Sequence, residues 1–368
     1  MDRIRVGIVG ATVTPGGSGW GAHAHVPALN ALPELYQLKA VCTAHEETAK
    51  ASAAQFGAEL AFADFDRMIE HPEIDLVVVC VRVPEHYDLT IRALELGKAT
   101  FCEWPLGANL SEAEELADLA RGARLPTLVG LQARSDPAIR AARDLILEGY
   151  VGTVLVANMS YITGGIYARG KGRLWQGWRQ NGANPLTIPG GHSMDIARFL
   201  VGDFTDVSAH LATQVPQWTD TDHGHKVDVD APDAISVIAR AHGGAEVTVQ
   251  IATVPSGGSE FRCEIYGTNG RLVLSSSSSV NTGPTKLLGA TGKDALAELP
   301  IPDRHNLVPA NLPDAPRSTN VAQAYVRYAH ARDAEQPCDP DFDAALGMHR
   351  VIDAIERSSA EGITVRLS

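Results

Sequence analysis

Cysteine is scarce in this chain: five in 368 residues, at Cys42, Cys80, Cys102, Cys263 and Cys338, with no Cys-x-x-Cys pair among them. An odd, scattered set argues against a disulfide framework or a thiolate zinc site and for a reducing compartment. Three of the five fall at the ends of apolar runs, where Cys behaves as a small hydrophobe. Long apolar stretches are also missing; none approaches the roughly 20 residues that span a bilayer. The first residues, MDRIRVGIVG, enter an apolar run with no basic-then-apolar leader, so the expectation is a soluble, cytoplasmic protein. Positive charge is in deficit: the formal net charge is −13, with no basic helix or DNA-binding motif. That sign disfavours nucleic acid as a partner. There is no internal repeat and no large low-complexity tract.

What is present is two kinds of periodicity. Through the first third, short apolar runs (Arg5–Val9, Gln37–Cys42, Leu76–Val81, Thr100–Cys102, Thr127–Leu131) alternate with helical patterns (His25–Ala31, Glu46–Phe56, Asp64–Glu70, Glu85–Leu96, Ser111–Arg121). The last of these helices is expected to open with a capping box of Ser111 and Glu114. Strand–helix alternation with short connections predicts a doubly wound parallel sheet, the Rossmann arrangement. After a helix at Asp136–Leu147 the runs lengthen and alternate: Thr153–Ile162, Asp206–Gln214, Ala234–Ala241, Glu246–Val254, Phe261–Tyr266 and Arg271–Ser275. Turns at Gly243–Gly244 and Asn269–Gly270 join some of them, which predicts a large, open, predominantly antiparallel sheet. Helices at Gly191–Leu200, Asn320–Ala334 and Phe342–Ser358 are expected to cover one of its faces, with a last strand at Ile363–Leu367. The fold class is therefore α/β: a Rossmann domain over 1–130 and an α+β domain over 131–368. The uncovered face of the second sheet predicts self-association as a homodimer or homotetramer.

The first run leads into a Gly-rich loop from Gly10 through Thr12, Gly19, Trp20 and Gly21, and then a helix. Glycines at such a turn let backbone approach a pyrophosphate with no Cβ in the way, and helix-end N–H groups hold that anion without side-chain cations. The strict G-x-G-x-x-G spacing is absent, so the loop's position in a βαβ unit carries the dinucleotide expectation. The second run ends at Thr43, where a dedicated NAD site would present a carboxylate. The cofactor is thus expected to be NAD or NADP, with the choice open.

Three further segments lie at strand ends: Val81-Arg82-Val83-Pro84-Glu85-His86, Cys102-Glu103-Trp104-Pro105-Leu106 and Gly130-Leu131-Gln132-Ala133-Arg134. With His25-Val26-Pro27-Ala28-Leu29 and Gly190-Gly191-His192-Ser193-Met194-Asp195, they resemble the glucose–fructose oxidoreductase/inositol dehydrogenase (Gfo/Idh/MocA) family over essentially the whole chain. The resemblance implies dinucleotide contacts from Gly10, Thr12, Gly19, Trp20, Gly21, Thr43, Arg82, Pro84, His86, Glu103, Trp104 and Gln132. It also implies a catalytic histidine at His192. Two departures stand out. The family's Glu-Lys-Pro motif reads Glu-Trp-Pro, with Trp104 in place of the lysine, and Ile188 stands where the family has an Asp four residues before its histidine. These features resemble the branch that includes the yeast galactose-regulon repressor.

An imidazole suits proton exchange with a carbinol hydroxyl, so His192 is the candidate acid–base group. Asp195, three residues on, either orients it or supports the helix dipole. Trp104 cannot move a proton and is assigned to the pocket wall. Arg82 meets a phosphate or carboxylate, or forms a surface ion pair. Arg134 is a substrate candidate at the junction of the two domains. Tyr161, Trp175 and Trp178, interspersed with Arg169, Lys171, Arg173 and Arg179, are read as a substrate lid for a polyol ring, against a surface loop or a subunit contact. His223-Gly224-His225, within Asp220–Asp230, is weighed as a metal site against a solvated loop and read as the loop, with no metal assigned. Three functions fit these residues. One is an NAD(P)-dependent oxidoreductase acting on a sugar, polyol or glycoside. The others are a silent dinucleotide-binding regulator acting through a protein partner, and redox-neutral, NAD-assisted elimination or glycoside cleavage.

Overall fold

The computed structural model describes all residues except Met1, 14–18, Ser259, Val280, Asn311, Pro313, Asp314 and Ser368, with only the backbone of Ala315 and Pro316. The centre of the Gly-rich loop therefore lies outside the described residues. The chain forms two compact units, each drawn from two stretches: Met1–Gln132 with Leu307–Leu346, and Ala133–Asn306 with Gly347–Ser368.

The first unit is built on six parallel strands: β1 (Ile4–Val9), β2 (Tyr36–Cys42), β3 (Leu60–Phe62), β4 (Leu76–Val79), β5 (Ala99–Cys102) and β6 (Thr127–Val129). Their order is β3-β2-β1-β4-β5-β6, so the winding direction reverses between β1 and β4. Ligands bind at the carboxyl ends of strands beside such a reversal. All four residues of β4 are buried, as an apolar run covered on both faces should be. β3 was not among the expected strands; it has no fully buried position and so lacks that signal.

The helices α1 (Val26–Asn30), α2 (Glu46–Phe56), α3 (Phe65–Ile69), α4 (His86–Glu95) and α5 (Leu110–Ala123) alternate with these strands. A π-helical turn, Gly21–His25, precedes α1, so the first helix starts earlier than its apolar pattern indicated. The cap of α5 corrects the Ser111–Glu114 expectation. Asn109 is the N-cap and accepts from Glu112 N at 3.0 Å, while the Glu112 carboxylate reaches back to Ala108 N at 2.7 Å. The same reciprocal logic operates two residues earlier, because Asn serves as a cap as well as Ser does.

The second unit holds α6 (Pro137–Leu147), β7 (Val154–Gly164), β8 (Ala168–Arg169), α7 (Lys171–Leu174), α8 (Gly191–Val201), β9 (Phe204–Ala212), β10 (Gln217–Asp220), β11 (Lys226–Asp228), β12 (Ala234–Ala241), β13 (Glu246–Val254), β14 (Glu260–Gly267), β15 (Gly270–Ser276), β16 (Lys286–Thr291) and β17 (Ala297–Glu298). α9 (Ala315–Asp333) and the first residues of α10 (Phe342–Glu361) belong to the first unit, and the rest of α10 and β18 (Val365–Arg366) to the second. Nine strands form one sheet, β17-β16-β15-β14-β7-β13-β12-β9-β18, antiparallel except for the β7–β13 pair. β8, β10 and β11 form a separate three-stranded sheet. Along β12, Ile235, Val237 and Ala239 are buried while Ser236, Ile238 and Arg240 are exposed, the alternation of a sheet covered on one face.

One helix departs from expectation. α9 was assigned to the second sheet, but its Val321, Tyr325, Tyr328 and Ala329 share a buried core with Ile8, Leu29 and Phe101 of the first unit. An apolar stripe with helical period says that a helix will be buried, not which sheet will bury it.

Candidate active site

In the first unit the site starts at the end of β1. Gly10 has φ +97°, and a Cβ there would lie 2.0 Å from the carbonyl oxygen of Cys80. No side chain is tolerated at this turn. A Cβ on Gly21 would meet Ala11 Cα and N at 3.0 Å, so this glycine lets the first helix pack close against the strand end. Gly19 also has positive φ, at +68°. At the end of β2, Thr43 Oγ1 is engaged locally with His45 O at 3.0 Å and Thr48 Oγ1 at 2.8 Å.

The β5 end carries Glu103-Trp104-Pro105, with Trp104 buried. The Glu103 carboxylate accepts from Gln132 Nε2 at 2.7 Å and bonds His25 Nε2 at 2.9 Å. His25 Nδ1 lies 2.8 Å from Tyr325 Oη, and Tyr36 Oη donates to Tyr325 O at 2.7 Å. A Cβ on Gly130 would sit 2.6 Å from that carboxylate, so Gly130 makes room for it. Gln132 Oε1 is buried and has no hydrogen-bond partner among the described residues.

His86 turns out to be a fastener. Its Nδ1 lies 2.7 Å from Pro105 O and its Nε2 3.2 Å from Val81 O, so both ring nitrogens face backbone carbonyls. Burial lowers its pKa. It ties the Glu-Trp-Pro segment to the β4 end and leaves neither ring nitrogen for a ligand. Arg82 and Pro84, in contrast, are exposed on the same connection. The glycine cradle and the orphaned Gln132 Oε1 both fit a nicotinamide dinucleotide, the first for its pyrophosphate and the second for a carboxamide N–H.

In the second unit, a π-turn at Leu186–Gly190 runs into α8 and delivers His192 to a buried position. Its Nδ1 has no hydrogen-bond partner among the described residues. Burial lowers its pKa from 6.5 to about 4, so the ring is neutral at neutral pH. Asp195 shares the helix, but its carboxylate is held by Arg134, with Nε to Oδ2 at 2.8 Å and Nη2 to Oδ1 at 2.6 Å. This bidentate fork is an ion pair between α8 and the turn before α6, a third role for Asp195 beside the two weighed for it, orienting His192 or supporting the helix dipole. The sequence carried no signal for it, since 61 residues separate the partners.

Tyr161 is buried on β7 and packs edge-on against Phe261 with ring centroids 6.4 Å apart. Trp175 and Trp178 are half-buried in a run of short helical turns. Several contacts hold this run down: Trp175 Nε1 donates to Gly172 O at 2.9 Å, Asn181 Nδ2 to Trp175 O at 2.6 Å, and Arg179 N to Asp230 Oδ1 at 2.8 Å. The segment expected as a lid packs against the three-stranded sheet through Leu174, which lies on the Trp218–Val229–Ala231 cluster. At the tip of that sheet, His223 and His225 gain a third neighbour, Asp220. No helix among the described residues is long and apolar enough to cross a membrane.

Residues 4–131 match the oxidoreductase family with an NAD-binding Rossmann fold, and residues 139–273 match the GFO/IDH/MocA C-terminal domain. The dehydrogenase AclE of Aspergillus oryzae is 30% identical over 372 residues, covering 98% of this chain and 97% of that protein. Levoglucosan dehydrogenase of Pseudarthrobacter phenanthrenivorans is 26% identical, covering 74% of each. A solved levoglucosan dehydrogenase structure with NADH and levoglucosan superimposes with a TM-score of 0.86 at 24% identity, over 100% of this chain and 99% of that one. The galactose/lactose metabolism regulatory protein GAL80 of Saccharomyces cerevisiae is 27% identical, covering 62% of this chain and 56% of its own length.

Proposed function

Since the chain belongs to the Gfo/Idh/MocA oxidoreductase family, we propose that it is an NAD(P)-dependent dehydrogenase or reductase acting on a CH–OH group of a sugar, polyol or glycoside. The observation that carries this reading is His192: a buried, neutral imidazole whose Nδ1 has no partner among the described residues. When bound, the nicotinamide supplies the hydride chemistry. The chain's own residues do the rest. Gly10 and Gly21 hold backbone close to the pyrophosphate, with Thr12, Gly19, Trp20, Thr43, Arg82 and Pro84 around the dinucleotide. Gln132, pinned through Glu103, orients the carboxamide. His192 accepts the hydroxyl proton on oxidation and returns it on reduction. Arg134 clamps Asp195 and so sets the α8 turn that carries His192. Tyr161, Trp175 and Trp178 of the second unit supply aromatic surface suited to a sugar ring, and Trp104 of the first unit is assigned to the substrate site by its place in the motif.

The test is nicotinamide absorbance with a panel of sugars, polyols and glycosides, each with NAD⁺ and NADP⁺, beside His192→Ala. Substrate-dependent reduction that disappears in the variant is the expected result. No reduction across the panel, with cofactor binding intact by calorimetry, would overturn it. That outcome favours the second reading, a silent dinucleotide-binding regulator acting through a protein partner. Trp104 favours it too, because an indole replaces the ammonium the motif would present and brings no positive charge to a developing alkoxide. Product without net reduction would instead indicate redox-neutral chemistry. The protein is proposed to be cytoplasmic and to self-associate as a dimer or tetramer through the uncovered face of the nine-stranded sheet, where Ile238 is 59% exposed. Light scattering that shows a monomer at micromolar concentration would count against that interface.

A further inference from the structure

We propose that the β10–β11 hairpin binds a divalent transition metal, with Asp220, His223 and His225 as its three protein ligands. One donor atom from each lies within 4.8 Å of the other two, and no other trio of His, Cys, Asp or Glu among the described residues does so. The hairpin holds the donors in place. Asp220 N donates to His225 O at 2.9 Å, and Gly224 N to Asp220 O at 2.7 Å, with Gly224 at φ +73° where a side chain would be strained.

The carboxylate is itself oriented. Asp220 is buried, and Asp222 N donates to its Oδ1 at 2.9 Å, which leaves Oδ2 facing His223 Nδ1 at 2.7 Å. The two imidazole rings are exposed, with centroids 5.8 Å apart. A pinned carboxylate beside two rings free to adjust is a ligand set that needs little reorganisation. Tetrahedral ligands at zinc-like bond lengths sit roughly 3.3 Å apart, within reach of a small rotation of each ring.

The donor set selects the metal class. Two imidazoles and one carboxylate suit Zn²⁺, Ni²⁺ or Cu²⁺, whereas Ca²⁺ and Mg²⁺ require mostly oxygen. Each neutral imidazole offers one ring nitrogen to the ion, the Asp220 carboxylate offers an oxygen, and water completes the coordination. The hairpin also fastens the aromatic wall: Thr221 N donates to Arg169 O at 3.0 Å, and the Asp222 carboxylate accepts from Lys171 N at 2.6 Å. A metal here clips the hairpin and stiffens the segment leading to Trp175.

The experiment is calorimetric titration of ZnCl₂ into the full-length, EDTA-treated protein, alongside His223→Ala, His225→Ala and parallel titrations with CaCl₂ and MgCl₂. The expected result is one saturable Zn²⁺ equivalent, at least tenfold weaker in either variant, with no comparable Ca²⁺ or Mg²⁺ binding. Both histidines are exposed, so melting temperatures in EDTA should be unchanged, which separates lost ligation from lost folding. Absence of saturable binding, or equal Zn²⁺ affinity in wild type and both variants, would overturn the proposal.

Discussion

His25 and His192 are both buried, one in each unit, but their ring nitrogens are treated differently. Both nitrogens of His25 are bonded, one to Glu103 and one to Tyr325. His86 in the same unit has a backbone carbonyl beside each ring nitrogen, to one of which its N–H donates. His192 has an Nδ1 without a partner among the described residues and a pKa pushed down to about 4. A buried polar group short of a partner is costly, and the chain carries that cost at His192 while avoiding it at the ring of His25. The contrast separates histidines held by their neighbours from a buried histidine whose Nδ1 has no partner among the described residues.

Exchanging the two outcomes is the sharpest way to break the comparison. His192→Ala should lower turnover by roughly 10²–10⁴-fold while leaving cofactor affinity near wild type, checked by steady-state kinetics and calorimetry. His25→Ala should do the reverse. It leaves the Glu103 carboxylate short of a donor beside a cavity, and unfolding by denaturant should show a loss of about 3–5 kcal/mol. Equal stability losses in the two variants would mean that His192 is also a scaffold residue.

Arg134→Leu removes the fork from Asp195, whose side chain is 1% exposed, and so strands a buried carboxylate. A stability loss of about 3 kcal/mol or more is expected. Asp195→Asn combined with Arg134→Leu should restore part of it, which a double-mutant cycle measures.

His192 makes a pH-dependent contribution to stability, in the same direction as that of buried His86. Its folded pKa lies below the usual 6.5, so between pH 6.5 and about 4 the unfolded chain takes up a proton that the native state refuses. The stabilising contribution is complete above the upper limit and falls as pH drops through that window, by up to about 3 kcal/mol. Thermal denaturation of His192→Gln should show a shallower acid decline than wild type; superimposable curves would contradict the burial of a neutral ring. The smallest effect is at a cap: Asn109→Ala should cost about 1 kcal/mol, measured by denaturant unfolding, with turnover unchanged.

Much of this was legible in the sequence. Buried strands announced themselves as apolar runs, and Gly10 and Gly21 marked a turn that admits no Cβ. β3, half-exposed at a sheet edge, carried no such run. The α5 cap was displaced by two residues because Asn109 and Ser111 offer equivalent capping chemistry. Asp220 was missed as a neighbour of His223 and His225 because its role depends on how the hairpin closes.

What the sequence determined by itself was local: element type from periodicity, turn positions from glycine, and the family pattern at the strand ends. What only the tertiary structure decided were the long-range pairings. Glu103 meets His25 across 78 residues, Asp195 meets Arg134 instead of His192, and α9 packs on the first sheet. Periodicity and backbone conformation are properties of neighbouring residues and can be read along the chain. The partner of a buried charge or an apolar stripe depends on which distant surface folding brings to it, and no short stretch of sequence carries that information.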